Sequence, residues 1–423
     1  MFGVVANNLF KDLHQEFDLE ILGINYYGNI KYDTTKWFIY SADSQDPFGF
    51  NKILQTIGQS KPDLIVLFQD IFNIEVVLSH IIGAFPTIPI VLYYPIDGAP
   101  ASIAWKEVFQ CPNVKKHFIY SKFAERTIKQ ILPTFKDYEI LYHGVDFDSY
   151  YPLSEEVRLG LKEKLGWKDR FVMINVNVFQ PRKFIMGTLL AASLLRHGYK
   201  KCKCGNYYSI IKGSCELNGC GSGDVIERVL AKDDVSLYMH MSTVNYSMGP
   251  LRSNTLQGAA LNAGWTNDDL TSNNLALLPP DKNLAADPMP ESELNKLYNC
   301  ADVNVTSATG EGFGLNLVES SACGTTSIAP RNSAIPEILL DTGHVVDNCG
   351  IFTQGLDNGH MRPVVSIPRM VDAMEIEYQK WLDNGKKKVI NQRAIDNVRT
   401  RFNWEDKREI LLSCFREILN PSV

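Results

Sequence analysis

Two glutamates flank a glycine-rich turn in the segment TSATGEGFGLNLVESSACGTTSIAPRNSAIPEIL, Thr306–Leu339. The expected order is a strand ending near Ser307, the turn (Gly310, Gly312, Gly314), a helix, and a second strand. Glycines at a strand-to-helix turn let backbone amides approach an anion, and the helix N-terminus adds about half a positive charge. The amides around Gly314 and Leu315 would therefore suit a diphosphate. Glu311 and Glu319 cannot serve that phosphate, because like charges repel. They can accept hydrogen bonds from hydroxyls on either side of it, a sugar ring for Glu311 and a ribose for Glu319. A second constellation, QPRK, puts Arg182 and Lys183 after another strand, where positive charge could help a diphosphate leave. A third places Asp97 in YYPIDG, either facing a cleft or merely closing a turn before Gly98.

The elements that must position these groups read as α/β. Expected strands are Leu19–Asn25, Trp37–Ser41, Leu64–Gln69, Ile88–Tyr94, His117–Ser121 and Glu139–Tyr142. A second set is Phe171–Val176, Val235–Met241, Leu275–Leu278, Asp302–Ser307, Thr326–Ala329 and Gly350–Thr353. Helical patterns such as Phe50–Gln59, Ser121–Ile131, Ser154–Leu165 and Glu291–Asn299 lie between them. Apolar strands alternating with helices predict parallel sheets covered on both faces. The boundary falls near Ser149–Trp167. This gives an N-terminal Rossmann-like domain over 1–150 and a second one over 168–405 that carries the expected nucleotide-sugar pocket. The C-terminal helix, 406–423, crosses back to the first domain. A helix is expected directly after Met1-Phe2-Gly3 with no strand before it, which would mean either a start that lies late or a sheet that has lost an edge.

At 423 residues, with 45% apolar and 21% charged, collagen-like and disordered classes are excluded. The net charge of −6 argues against a broad nucleic-acid-coating face. No apolar run is long enough to span a membrane, and no secretory signal is seen. A cytoplasmic protein is expected, in the host cytoplasm if the source is viral, with peripheral membrane contact left open.

The pattern E-G-F-G-L-x3-E-x3-C-G-x6-R-N-S-x-x-P-E, with LGINYYG, DPFGFN, YYPIDG, HGVD and QPRK in order before it, resembles retaining glycosyltransferase family 4. The resemblance implies the GT-B fold: two Rossmann-like doubly wound domains facing a cleft, with the acceptor on the side of the first. It implies a donor that is a nucleotide-diphosphate sugar and no catalytic metal. Glu311 would meet the donor sugar, Glu319 the ribose, and the amides of Gly312, Phe313, Gly314 and Leu315 the diphosphate. Lys183 matches the phosphate-contacting lysine. The family's earlier arginine falls on Val178, a departure for which Arg182 is the candidate substitute. Asp97 is the candidate catalytic or acceptor-orienting residue. Gly3 would be the remnant of an N-terminal glycine loop that approaches donor and acceptor. His143 and Asp146 are read as either near the cleft or packing at a hinge. The acceptor would be a glycan or a lipid-linked sugar, with a hydroxymethylated DNA base as a distinct alternative. A nucleotide-sugar epimerase and a catalytically degenerate binding module are the rival readings.

Lys200–Gly223 interrupts a β-α-β crossover with C-x-C-x10-C-x4-C: Cys202, Cys204, Cys215 and Cys220. Two close pairs followed by glycines can present four thiolates tetrahedrally. A structural zinc ribbon is expected, with disulfides or free thiols as alternatives. A four-ligand site leaves no open position for catalysis.

Overall fold

The computed structural model describes the chain except residues 1, 25, 27–36, 44, 47, 213, 216–219, 221, 243–254, 280–283, 285–286, 354, 356 and 421–423. Asn25, parts of LGINYYG and DPFGFN, and part of the cysteine insert therefore lie outside the described residues. The chain divides into two compact units. One is Met1–Gly144 with Leu356–His360 and Phe402–Val423; the other is Val145–Gly355 with Met361–Arg401.

The first unit opens with a helix, Phe2–Leu9, which buries Val5 and Leu9. Strands β1 (Glu20–Gly23) and β2 (Phe38–Ser41) form a separate parallel pair. Strands β3 (Ile65–Phe68), β4 (Ile90–Tyr94), β5 (Val114–Ile119) and β6 (Tyr138–Ile140) form a parallel sheet in sequential order. Every residue of β4 is buried, as expected of a central parallel strand. Its helices pack Ile74, Leu78, Ile81, Ala124 and Ile128 against the sheet.

The second unit carries the site. Its main sheet contains β7 (Phe171–Val176), β11 (Val235–His240), β12 (Leu275–Leu277), β13 (Val303–Val305), β14 (Thr326–Pro330) and β15 (His344–Val346). The order is β12-β11-β7-β13-β14-β15, with all pairs parallel. From β7 the chain builds outward through β11 and β12; from β13 it builds the opposite way. The order thus reverses between β7 and β13, and ligands of open parallel sheets bind outside the carboxyl ends of strands at such a reversal.

Three short strands, β8 (Tyr199–Cys202), β9 (Tyr207–Ser209) and β10 (Val225–Val229), form an antiparallel ribbon between the helix Ile185–His197 and β11. Gly350–Thr353, expected as a core strand, lies instead in β16 (Asn348–Thr353), which pairs antiparallel with β17 (Met361–Val365). The parallel edge is His344–Val346, whose polar flanks hid it. Val145–Trp167 goes with the second unit. Asn299 accepts from the Leu153 amide at 2.8 Å and donates to the Tyr151 carbonyl at 2.9 Å, which fixes this segment against the helix Glu291–Cys300.

Candidate active site

Two loops leave the sheet at the reversal, one after β7 and one after β13. They are sewn together by backbone. The Thr309 amide and hydroxyl both donate to the Arg182 carbonyl, each at 2.8 Å. Ser307 Oγ donates to the Phe184 carbonyl at 2.6 Å and accepts from the Thr188 amide at 3.0 Å. Pro181–Lys183 forms a short 3₁₀ turn that ends at Phe184 with φ of 43°. Beside it, a Cβ on Gly187 would lie 2.8 Å from the Phe184 ring and 2.9 Å from Ser307 Cβ. Only glycine lets the helix approach this closely.

This stitching brings Arg182, Lys183 and Glu311 together. Lys183 Nζ lies 2.5 Å from Glu311 Oε1, and the residues are 2% and 3% exposed. Arg182 donates to the Gly310 carbonyl at 3.0 Å and stands 3.8 Å from Glu311 Oε2. Glu311, expected to meet a sugar, is thus already paired with the lysine expected to meet phosphate. A buried charge needs such a partner.

Behind Glu311 lies a brace that the sequence reading did not single out. The Glu311 amide donates to Ser333 Oγ at 2.7 Å, and Ser333 donates to Asn332 Oδ1 at 3.0 Å. Asn332 in turn donates to the Ala308 carbonyl at 2.9 Å. These are the N and S of the R-N-S stretch, so the only sequence signal was their place in the long pattern.

The helix Leu315–Ala322 starts at Gly314, whose φ of 102° favours glycine. Its N-cap, Gly314, has no side chain with which to cap it, so the Leu315 and Asn316 amides receive no acceptor from that residue's side chain. Asn316 donates to the Val176 carbonyl at 3.0 Å, which ties the helix start to the end of β7. From below, Asn304 donates to Ser320, Ser327 and the Asn316 carbonyl at 3.1–3.2 Å. Gly312 is half-buried, and Phe313 and Leu315 are buried.

Glu319 lies one turn further along, partly exposed, and accepts from Tyr298 Oη at 2.9 Å. Burial lifts its carboxyl to about 7, with the tyrosine hydrogen bond pulling the other way. Tyr298 was another residue that sequence reasoning missed.

Other predicted positions lie elsewhere. Val178 is 54% exposed on the loop after β7. Asp97 belongs to the first unit and is half-buried beyond β4. Next to it, a Cβ on Gly98 would lie 2.4 Å from His360 Nδ1. Gly3 is exposed in the first turn of the helix Phe2–Leu9 and is helical, not part of a loop. His143 is buried, bonded to Tyr93 Oη at 2.6 Å, with its pKa pushed down to about 3 by burial. Asp146 caps a turn, accepting from the Asp148 amide at 3.0 Å and from Ser149 Oγ at 2.7 Å. The four predicted metal-ligating cysteines cluster, with every Sγ within 4.8 Å of the others.

Residues 267–352, which include the turn and both glutamates, match the family model described as Glycosyl transferases group 1. A D-inositol 3-phosphate glycosyltransferase of Acidothermus cellulolyticus is 26% identical over 139 residues, 33% of this chain and 27% of that protein. A protein of the same name from Mycobacterium bovis is 28% identical over 132 residues, 31% of this chain and 24% of that protein. The chain thus spans only about a quarter of the length of these curated relatives. Sucrose-phosphate synthase from Thermosynechococcus elongatus superposes with a TM-score of 0.65 at 13% identity, covering 99% of this chain and 93% of that one. Anabaena Alr3699/HepE in complex with UDP and glucose does so with a TM-score of 0.65 at 14% identity, covering 98% and 96%. With its parallel sheets, its reversal point and these neighbours, the chain has the GT-B glycosyltransferase fold.

Proposed function

We propose that the chain is a retaining glycosyltransferase that moves a sugar from a nucleotide-diphosphate donor to an acceptor hydroxyl. The observation that carries this reading is the convergence of Lys183, Arg182, Glu311 and an uncapped helix start at the reversal point of the second sheet. A pyrophosphate suits the amides of Gly314 and Leu315, and the two cations would balance the charge that builds as the glycosidic bond breaks. Glu311 accepts from the donor sugar, and Glu319, four residues into the helix from Leu315, accepts from the ribose. The acceptor proton passes to a departing phosphate oxygen. Asp97 is assigned to the acceptor side. A glycan or lipid-linked sugar is the acceptor class, and UDP, bound by the Anabaena neighbour, is the first nucleotide to try.

Thermal melting with UDP, GDP, ADP and their sugars tests the donor, with Glu319→Ala beside the parent. Ligand at about 100 times its Kd should add roughly 2.7 kcal/mol. A shift with one nucleotide, lost in the variant, is expected; no shift with any nucleotide overturns the reading. One observation favours the binding-module alternative: Val178 is apolar and exposed where the resemblance calls for an arginine. Nucleotide binding without sugar transfer or donor hydrolysis would select that alternative.

A further inference from the structure

We propose that Cys202, Cys204, Cys215 and Cys220 hold one zinc ion as a closed tetrathiolate, and that this metal replaces a hydrophobic core in the inserted ribbon. The inference is independent of the transferase reading, since neither the donor site nor the sugar enters it.

The geometry begins with strand register. β8 runs between β9 and β10, with Cys202 at its end opposite Val225 of β10. A tight turn follows: Gly205, at φ of 85°, donates its amide to the Cys202 carbonyl at 2.9 Å, and Cys202 donates to the Asn206 carbonyl at 2.9 Å. The turn swings Cys204 back beside Cys202. Cys215 and Cys220 come from the connection between β9 and β10 and close the other side. Cys204 Sγ and Cys215 Sγ are 3.8 Å apart. A tetrahedron with metal–sulfur bonds of about 2.3 Å has edges of about 3.8 Å. All four thiols are unbridged.

The surroundings suit thiolates. Asn206 Nδ2 donates to Cys215 Sγ at 3.3 Å, the outer hydrogen bond that metal-bound sulfur commonly receives. Lys200 and Lys203 lie within the same ribbon, and Lys200 Nζ holds the Lys212 carbonyl at 2.5 Å. Four thiolates and a divalent ion carry two negative charges, while Lys203 is already paired with Asp224 at 3.5 Å.

The ribbon also needs the metal. Its own apolar cluster consists of Cys202, Tyr208 and Cys215, with Cys220 and Val225 beside it. That is far too little for independent stability, and small modules of this kind fold on their metal. The ribbon is anchored to the second unit at one end. Tyr199 stacks on Tyr207 at 5.0 Å, Tyr207 Oη donates to Asp372 at 2.8 Å, and Tyr199 Oη donates to Glu375 at 3.2 Å. Asp372 and Glu375 lie on the helix Ile367–Asp383, which also packs on the sheet core. Loss of metal should therefore be felt by the unit that carries the donor site.

Elemental analysis of the full chain, purified without chelator, should find one zinc per chain. Titration of the parent protein with an organomercurial, followed with a zinc-sensitive dye, should release that one equivalent as the four cluster thiols react, in addition to exposed Cys349 outside the cluster. Cobalt substitution should give the intense visible bands and thiolate-to-cobalt charge transfer of a tetrahedral sulfur site. The variant Cys204→Ser/Cys220→Ser should lose the zinc and melt at lower temperature. No zinc in the parent, even after equilibration with the ion, would overturn the proposal, as would two disulfides among the four cysteines. The measurements on the parent decide the matter even if the variant does not fold.

Discussion

Among its described residues, the second unit holds two buried lysine–carboxylate pairs on opposite ends of one sheet. At the carboxyl ends of the strands, Lys183 meets Glu311 at 2.5 Å. At the amino ends, Lys162 meets Asp302 at 2.7 Å. Chemistry and burial are nearly the same, but the surroundings differ. Lys162 also donates to the Arg170 carbonyl at 3.0 Å, and Asp302 also accepts from the Val172 amide at 2.7 Å. That pair locks the helix Glu155–Lys164 onto the starts of β7 and β13. Lys183 and Glu311 sit instead on two loops, beside a glycine turn and an uncapped helix start. A buried ion pair therefore says little about function by itself. Its place relative to strand direction separates a fastening from a site.

The largest expected effect tests the pair at the carboxyl ends. Lys183→Met should cut sugar transfer by about 10²–10³-fold, as loss of one group that stabilises developing charge does. In the double variant Lys183→Met/Glu311→Gln, the melting temperature should recover while transfer stays lost. Recovery of transfer as well would make this pair a fastening too.

Next comes the pair at the amino ends. Lys162→Met leaves Asp302 buried without its cation, and such breaks cost about 3–5 kcal/mol. Urea unfolding should show that loss, and Lys162→Met/Asp302→Asn should regain much of it. Nucleotide affinity of the folded protein should be unchanged; a weakened affinity would erase the contrast between the two ends.

A smaller effect belongs to Glu319. Its carboxyl, raised by burial to about 7, is ionised at pH 8 and largely protonated at pH 6. Ribose hydroxyls donate best to the carboxylate, so nucleotide affinity should fall roughly tenfold over that interval, as follows if only the ionised form binds. Calorimetric titration at several pH values, with Glu319→Gln as the flat control, reads this out. Because the folded value is raised, the folded protein holds a proton that the unfolded chain has lost between the ordinary carboxylate range and 7. Stability therefore declines as pH rises through that window, and Glu319→Gln should remove the decline.

The smallest change restores the arginine that the resemblance leads one to expect. Val178 is exposed, so Val178→Arg should leave stability within about 0.5 kcal/mol. It should raise transfer severalfold if a cation is wanted there. An unchanged rate would show that Arg182 already fills the role.

Much of this was legible in the chain itself. Short, mostly apolar runs bounded by turn residues, such as Ile90–Tyr94 and Phe171–Val176, read as buried strands, and both are strands of parallel sheets. The glycines of 310–314 required a turn, and the cysteine spacing required a cluster if it meant anything. The sequence could also place Glu319 one helical turn after the glycines, because a helix has a fixed period. Gly350–Thr353 shows the limit: a strand's partner is not encoded locally, so a hairpin and a sheet edge read alike.

What only the tertiary structure decided is which groups meet. Lys183 and Glu311 are 128 residues apart, and no local rule predicts that they neutralise each other. The crossing of two loops at the sheet reversal does that, and Thr309, Ser307, Ser333 and Asn332 fix it through hydrogen bonds to backbone. Tyr298 reaches Glu319 in the same way, from a neighbouring helix. Residue type and spacing set the local geometry and the chemistry on offer. Strand order, a property of the whole sheet, chose which of those groups share a site.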